Sequence, residues 1–407
     1  MQLTIEKLGH LGDGIAPGPN GPVFVPQTLP GEVVEGELEG DRLTGTRIVT
    51  PSPDRVKPPC PHARSCGGCL MQHAGDEFVA NWKQGIIRGA LSGQGIDAAL
   101  RPMITSPAQS RRRATLTGRK TKGGTLMGFH ARASETLVMV PNCKLLDPAL
   151  IAAFPALESL IRIGGTRTTE LGLTVTRSLA GPDVSVTGGK ELDQNLRMDL
   201  ARACEAGGIA RLTWNGETVA FAANPVQRFG AALVTPPPGA FLQATPQGEA
   251  ALVTAVREAV GPARRITDLF AGCGTFSLPL AEQAEVHAVE GLSALTTALD
   301  KGARMAQGLR RVTVETRDLF RRPLEPEEFK GVDAVVIDPP RAGAEAQTES
   351  LARARVPVIA AVSCNPATFA RDARILLAAG YRLDWVQGVD QFRWSSHVEL
   401  AARFSLI

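Results

Sequence analysis

The chain has little net charge, no long apolar run and no even complement of cysteines, and each shortage removes a class of protein. A formal charge of +3, from 44 Lys and Arg against 41 Asp and Glu, gives no global pull toward nucleic acid, so any basic partner surface has to come from local clusters. No apolar stretch approaches the ~18 residues of a membrane span. Met1-Gln2-Leu3-Thr4-Ile5 lacks the basic n-region and apolar run of a secretory leader. The expectation is a cytoplasmic, monomeric enzyme with no membrane partner. Seven cysteines suit a metal or cluster site plus a reactive thiol better than a disulfide framework. What is present is 43% hydrophobic residues in 407, enough for roughly two to four domains.

Residues 1–52 alternate short β-like runs with Gly and Pro, which predicts a small barrel of about five strands. The order Gly-Asp-Gly-Ile-Ala, Val-Phe-Val-Pro, Leu-Pro-Gly-Glu resembles the TRAM domain attached to many RNA-modifying enzymes, and the resemblance implies RNA binding. Residues 53–240 form the expected central α+β domain. It opens with Cys60, Cys66 and Cys69 at C-x5-C-x2-C spacing with Gly67 and Gly68 inside. Three thiolates need a fourth ligand to close a tetrahedral zinc or an iron–sulfur cubane, and the spacing does not choose between them. Cys143, in a turn-like Pro-Asn-Cys, is the best fourth, whereas Cys204 sits within a helical pattern. Asp76 to Gly93 reads as a helix. The most basic stretch follows: Arg111, Arg112, Arg113, Arg119, Lys120 and Lys122, broken by Gly123-Gly124. It predicts a hairpin binding RNA phosphates.

Residues 241–407 alternate β and α patterns, the signature of a parallel sheet with crossover helices. The strand Ile266–Phe270 runs into Ala271-Gly272-Cys273-Gly274-Thr275, a loop that lets a cofactor approach the backbone. Glu290 closes the next strand, where a carboxylate can accept from both hydroxyls of a ribose. With no third glycine for a pyrophosphate, a nucleoside cofactor is favoured, and S-adenosylmethionine fits. Asp318 is placed to meet the adenine edge or to cap the following turn. Asp338-Pro339-Pro340-Arg341 ends the fourth strand, where prolines hold Asp338 at the rim, and Arg341 can pair with it or with RNA. The fifth strand delivers Cys364.

A thiol beside a methyl donor has a well-motivated use, activating a carbon that is not itself nucleophilic, and uracil C5 is such a carbon. The scheme demands a general base, for which His397 and Glu399 are the candidates. Reaching a base also requires that it leave its stack, so Phe241 and Gln243 are natural pocket residues.

Together, the Cys60, Cys66, Cys69 and Cys143 set, Phe241-x-Gln243, Asp268-Leu-Phe-x-Gly-x-Gly274, Asp-Pro-Pro-Arg, Ser-Cys-Asn-Pro and His-Val-Glu resemble the RNA uracil-5-methyltransferases over nearly the whole chain. The resemblance implies a class I Rossmann-like methyltransferase fold, Cys364 as nucleophile, Glu399 as proton acceptor and a 4Fe–4S cluster on the four cysteines. It also implies that Gln243, Phe270, Thr275, Glu290, Asp318 and Asp338 line the methyl-donor and uracil pocket. Thr275 and Thr245 stand where many relatives carry Asn, and both keep a hydrogen-bonding side chain. The barrel together with the cysteine set is most similar to the branch acting on 23S ribosomal RNA. Action on transfer RNA, or a catalytically idle RNA-binding protein, are the competing readings.

Overall fold

The computed structural model describes all 407 residues. Its largest sheet has eight strands in the order Val312–Thr316, Glu285–Glu290, Arg265–Leu269, Ala334–Ile337, Val358–Ser363, Glu399–Leu406, Tyr381–Asp390, Leu100–Thr105. The first five are parallel, and Glu399–Leu406 runs antiparallel to its neighbours on both sides. Period-two alternation explains why this sheet is buried on both faces. Val335, Ile337, Ile359 and Ala361 pack with Ile87, Leu351, Phe369 and Leu376 on one side. Ala334, Val336, Ala360 and Val362 pack with Leu252, Val256 and Val260 on the other. Strand, loop and helix follow one another along the parallel half, so the loops after its strands collect at one rim, where ligands sit in open α/β sheets.

The eighth strand comes from the middle of the chain. Leu100–Thr105 pairs in parallel with Tyr381–Asp390, and the helix Asp76–Ser92 before it packs Ile87 and Leu91 into the core beneath this sheet. Residues 76–105 were expected within the central domain, yet their apolar faces find cover on the eight-stranded sheet. The central sheet has seven strands, ordered Leu137–Met139, Thr125–His130, Arg113–Lys120, Leu171–Ser178, Gly181–Thr187, Arg211–Trp214, Glu217–Phe221. Leu116, Leu173, Val184 and Trp214 bury one face against the helices Phe154–Gly164 and Gln194–Ala206, while Thr115 on the opposite face is exposed. The N-terminal module is a six-stranded sheet spanning Gln2 to Thr50, one strand more than expected because Lys7–Leu8 adds a short pair with Gly14–Ile15. Leu3, Ile5, Val23, Val25, Val34 and Leu43 form its core. No helix is long and apolar enough to cross a membrane.

Candidate active site

Cys364 stands one residue past the strand Val358–Ser363, half-buried, as a free thiol. Its turn is built from short polar side chains. Ser363 Oγ accepts from Asn365 N at 3.1 Å, and Asn365 caps the helix Pro366–Ala378 by accepting from Ala367 N at 3.1 Å. The same Asn365 donates through Nδ2 to the carbonyl of Arg341 at 2.9 Å, and Thr368 Oγ1 donates to that carbonyl at 3.2 Å. The Cys364 turn and the Asp-Pro-Pro-Arg turn are therefore one unit.

Register brings Glu399 to the thiol. Ser363 pairs with Leu400 across the antiparallel ladder, so one further step along each chain sets Cys364 opposite Glu399. Glu399 is 2% exposed and its Oε2 has no hydrogen-bond partner. Burial, then the nearby Asp338 carboxylate, push its carboxyl up to about 8, with Arg341 opposing. Asp338 is pushed up to about 7 by burial and by Asp268. Burial raises the Cys364 thiol, Glu399 and Asp338 add to the rise, and Arg341 counters it. Arg341 thus faces the Cys364 thiol and the Glu399 carboxyl, and the pairing with Asp338 that the sequence allowed is not formed. His397, the other candidate base, is exposed and turned to Arg341, whose Nη2 lies 2.9 Å from Nδ1. The two residues do not share a face, because the strand begins only at Glu399.

The glycine loop lies at the same rim. Glu290 Oε2 accepts from Gly272 N at 3.0 Å and Oε1 from Leu292 N at 2.9 Å, and each oxygen keeps lone pairs for hydroxyl donors. A side chain at Gly272 would meet nothing within 4 Å, so that backbone faces open space. Gly274 has φ +100°, and a Cβ there would sit 2.7 Å from buried Leu278. Phe270 enters the loop at φ +61° and packs against Phe320 with the rings tilted by 54° and centroids 5.4 Å apart. Thr275 is half-buried at the end of the loop. Beneath it Asp268, fully buried and pushed up to about 7 by desolvation, receives the Ser277 hydroxyl. Gly274→Ala should force this loop off Leu278, costing ~1–3 kcal/mol and weakening S-adenosylmethionine binding, as read by thermal melts with and without cofactor. Asp318 is half-exposed and accepts through Oδ1 from Phe320 N at 3.0 Å and Arg321 N at 3.3 Å, so it caps its own turn at the edge of the adjoining strand.

Phe241 is 62% exposed at the entrance while Gln243 is 2% exposed inside. Thr245 is the N-cap of the helix Pro246–Val260, accepting from Gly248 N at 2.9 Å and meeting Ser106 Oγ at 2.7 Å. Gln243 is held by an arginine expected to touch RNA. Arg112 is 6% exposed, donates through Nε to the Gln243 carbonyl at 3.0 Å and pairs with Glu249. An exposed phosphate contact does not hold for Arg112: its charge is spent on a buried carboxylate. Arg111 is half-buried over Phe392 with its field on Cys69 and Cys143, and Arg113 donates to the Gly239 carbonyl at 3.0 Å. Within the hairpin, Lys122 at the tip is exposed, and Lys120 donates to the Arg162 carbonyl at 2.6 Å.

The four cysteines Cys60, Cys66, Cys69 and Cys143 line a single small cavity with Phe129, Val140 and Leu145. Burial raises the Cys66 and Cys143 thiols and pushes Cys69 up to about 12, so ionising them together calls for a positive group among them. They surround a space. No three His, Cys, Asp or Glu side chains converge on one point suited to a metal ion.

The hub of the site was invisible in the sequence. Residues 391–398 link the last two strands and are gripped from every side. Lys83, fully buried in the helix Asp76–Ser92, donates to Asp390 Oδ1 at 2.6 Å and to the carbonyls of Phe392 at 3.1 Å and His397 at 2.8 Å. Trp394 enters the central core, and its carbonyl accepts from Leu70 N and Met71 N, next to Cys69. Gln391 reaches back to Gln243. Only a lysine inside an otherwise amphipathic helix hinted at this. Lys83→Met leaves Asp390 buried without a cation and should cost ~3–5 kcal/mol in urea unfolding, with much of it recovered by adding Asp390→Leu.

The strand order, with its antiparallel sixth strand, and the Gly272–Glu290 contact at the rim define a class I S-adenosylmethionine-dependent methyltransferase. A family model for tRNA (uracil-5-)-methyltransferases matches residues 238–404. The chain is 43% identical to an RNA methyltransferase of Brucella suis biovar 1, covering 98% of this chain and 97% of that one. It is 31% identical to the 23S rRNA (uracil(1939)-C(5))-methyltransferase of Shewanella baltica, covering 100% and 96%. The crystal structure of Pyrococcus abyssi tRNA (uracil-54, C5)-methyltransferase with S-adenosyl-L-homocysteine superposes with a TM-score of 0.78 at 25% identity, covering 99% of both chains. The chain belongs to the RNA (uracil-5-)-methyltransferase family, and it is an S-adenosylmethionine-dependent enzyme acting on RNA.

Proposed function

We propose that the protein methylates C5 of a uridine in 23S ribosomal RNA, with Cys364 as nucleophile and Glu399 as proton acceptor. The observation that carries the mechanism is the ladder register that sets this thiol opposite this carboxylate. The Cys364 thiolate adds to C6, and the displaced electron pair moves through C5 toward O4. S-adenosylmethionine supplies a methyl group on a sulfonium, an electrophile that the C5 carbanion equivalent can take. C5 then carries both the methyl and its original proton. Glu399 removes that proton, the C5–C6 double bond re-forms, and the thiolate leaves. Arg341 stabilises the thiolate, and Asp338 at the same rim suits recognition of the uracil edge.

In this reading Gly272, Gly274, Phe270, Thr275, Glu290 and Asp318 hold the cofactor, with Glu290 accepting from the ribose, and Phe241 and Gln243 receive the base. Residues 1–52 serve as an RNA-binding barrel, residues 53–240 as an RNA-binding and cysteine-bearing segment, and residues 241–407 as the catalytic domain. The full-length similarity to the 23S ribosomal enzyme supports the ribosomal target, while the transfer-RNA enzyme's structural likeness supports the second reading. Mass spectrometry of nucleosides from separated RNAs of a deletion strain decides. Loss of 5-methyluridine from 23S RNA is the expected result, and loss from transfer RNA alone contradicts it.

The cysteine set is proposed to hold a 4Fe–4S cluster, with zinc the lesser alternative. Four thiols around a shared space, beside the Arg111 guanidinium, favour an extended cluster over a single ion. Iron and acid-labile sulfide in anaerobically purified protein are expected, and tightly bound zinc without iron would refute the assignment.

A further inference from the structure

We propose that Gln391 makes the enzyme choose uracil over cytosine by fixing which end of the Gln243 amide faces the base. The inference rests on the reading of this rim as a uracil pocket.

A buried amide has two chemically opposite ends, and its neighbours decide which is presented. Here the decision starts at a group that has no freedom. The backbone N–H of Ala244 is a donor and meets the Gln391 side chain at 2.6 Å, so the atom of Gln391 facing it is the oxygen. The other end of Gln391 is then its NH2, and this end points to the Gln243 side chain. Gln243 must meet a donor with its own oxygen, which leaves its NH2 as the outward group. That NH2 has no acceptor in the protein, although Gln243 is 2% exposed and Gln391 1%. Both amide orientations are fixed from the Ala244 peptide N–H, a group that can only donate.

Both residues lie at the reacting end of the sheet. Val389 pairs with Glu399, so Gln391 stands two residues past the strand pair that carries the base. The backbone of Gln243 is pinned independently, by Arg112 on its carbonyl at 3.0 Å. What Gln391 controls is the rotation of the amide. A presented NH2 meets the O4 acceptor of uracil and opposes the N4 amino donor of cytosine, one of the two ring positions, with N3, at which the bases exchange hydrogen-bonding roles. A site built this way leaves a donor facing a donor when the wrong base enters, which discriminates far more strongly than shape.

The test uses unmodified transcripts of 23S ribosomal RNA and of a transfer RNA, each also made with the acceptor uridine replaced by cytidine. Methyl transfer to uridine by the wild type establishes the site reading, and its absence on both RNAs overturns that reading. Given such transfer, Gln391→Met keeps the length and removes the amide, and the ratio of uridine to cytidine kcat/KM is expected to fall by ~10- to 100-fold. A residue that merely supported the loop would lower both rates and leave the ratio alone, and an unchanged ratio overturns the proposal. A second measurement needs no variant: placing 4-thiouridine, whose sulfur is a weak acceptor, at the target should slow the wild type by ~10-fold or more. An undiminished rate on that transcript would show that no donor meets position 4, and would equally sink the proposal.

Discussion

Replacing Cys364 with alanine is expected to abolish methyl transfer, a fall of at least ~10⁴-fold, while S-adenosylmethionine still binds. The size of the effect follows from the chemistry of the acceptor. C5 of uracil has no electron pair to offer until something adds at C6, and the other groups at this rim, two carboxyls and a guanidinium, cannot supply that addition. Retained cofactor binding follows from position. Cys364 follows the fifth strand of the sheet, whereas Glu290 and the Gly272 loop are built on the two strands Arg265–Leu269 and Glu285–Glu290. Transfer of labelled methyl groups to RNA, together with equilibrium dialysis of the cofactor, separates the two properties.

Glu399→Gln is expected to produce the opposite failure, a protein that reacts once and does not let go. Addition and methyl transfer need no base at position 399, but release does, so RNA joined to protein should accumulate on ordinary uridine and survive denaturing electrophoresis. Turnover should drop by ~10²- to 10⁴-fold. Burial and Asp338 hold the Glu399 carboxyl up to about 8, and a base must be ionised to accept a proton, so wild-type turnover rises with pH through about 8. Burial, then Glu399, raise the Cys364 thiol. Removing the carboxylate therefore eases ionisation of the thiol, and the pH limb of adduct formation in Glu399→Gln moves lower than in wild type.

Much of this site was legible because its residues follow local rules. A strand ending in Gly-x-Gly, a strand ending in Glu, and a thiol between a buried strand and an Asn-capped helix each announce themselves within about ten residues of sequence. The four cysteines were legible too, since three share one loop and the fourth lies in a Pro-Asn turn, and the structure gathers all four around one cavity. The basic run misled for a physical reason. Charge counts along a sequence do not reveal that Arg112 has a buried carboxylate waiting 137 residues later in the chain. Local pattern alone left His397 and Glu399 level, and only the family resemblance favoured Glu399, because their placement depends on where an antiparallel strand begins and on register with a strand some 40 residues earlier. Least visible were Lys83, Asp390 and Gln391. Their distant partners lie between 147 and 314 residues away, and nothing local distinguishes a lysine that clamps the 391–398 loop from one on a solvated helix face. The same distances explain why residues 76–105 read as part of the central segment although their apolar faces complete the methyltransferase sheet.

The most direct test of the central claim is covalent trapping. RNA carrying 5-fluorouridine at the acceptor position presents a C–F bond where the base would remove a proton, so a thiol that has added at C6 after methyl transfer cannot leave. Incubating the protein with this RNA and S-adenosylmethionine, followed by digestion and mass spectrometry, should give one peptide containing Cys364 joined to 5-fluoro-5-methyluridine, and none from Cys364→Ala. Active, cofactor-bound protein that methylates uridine yet forms no such adduct would contradict the account.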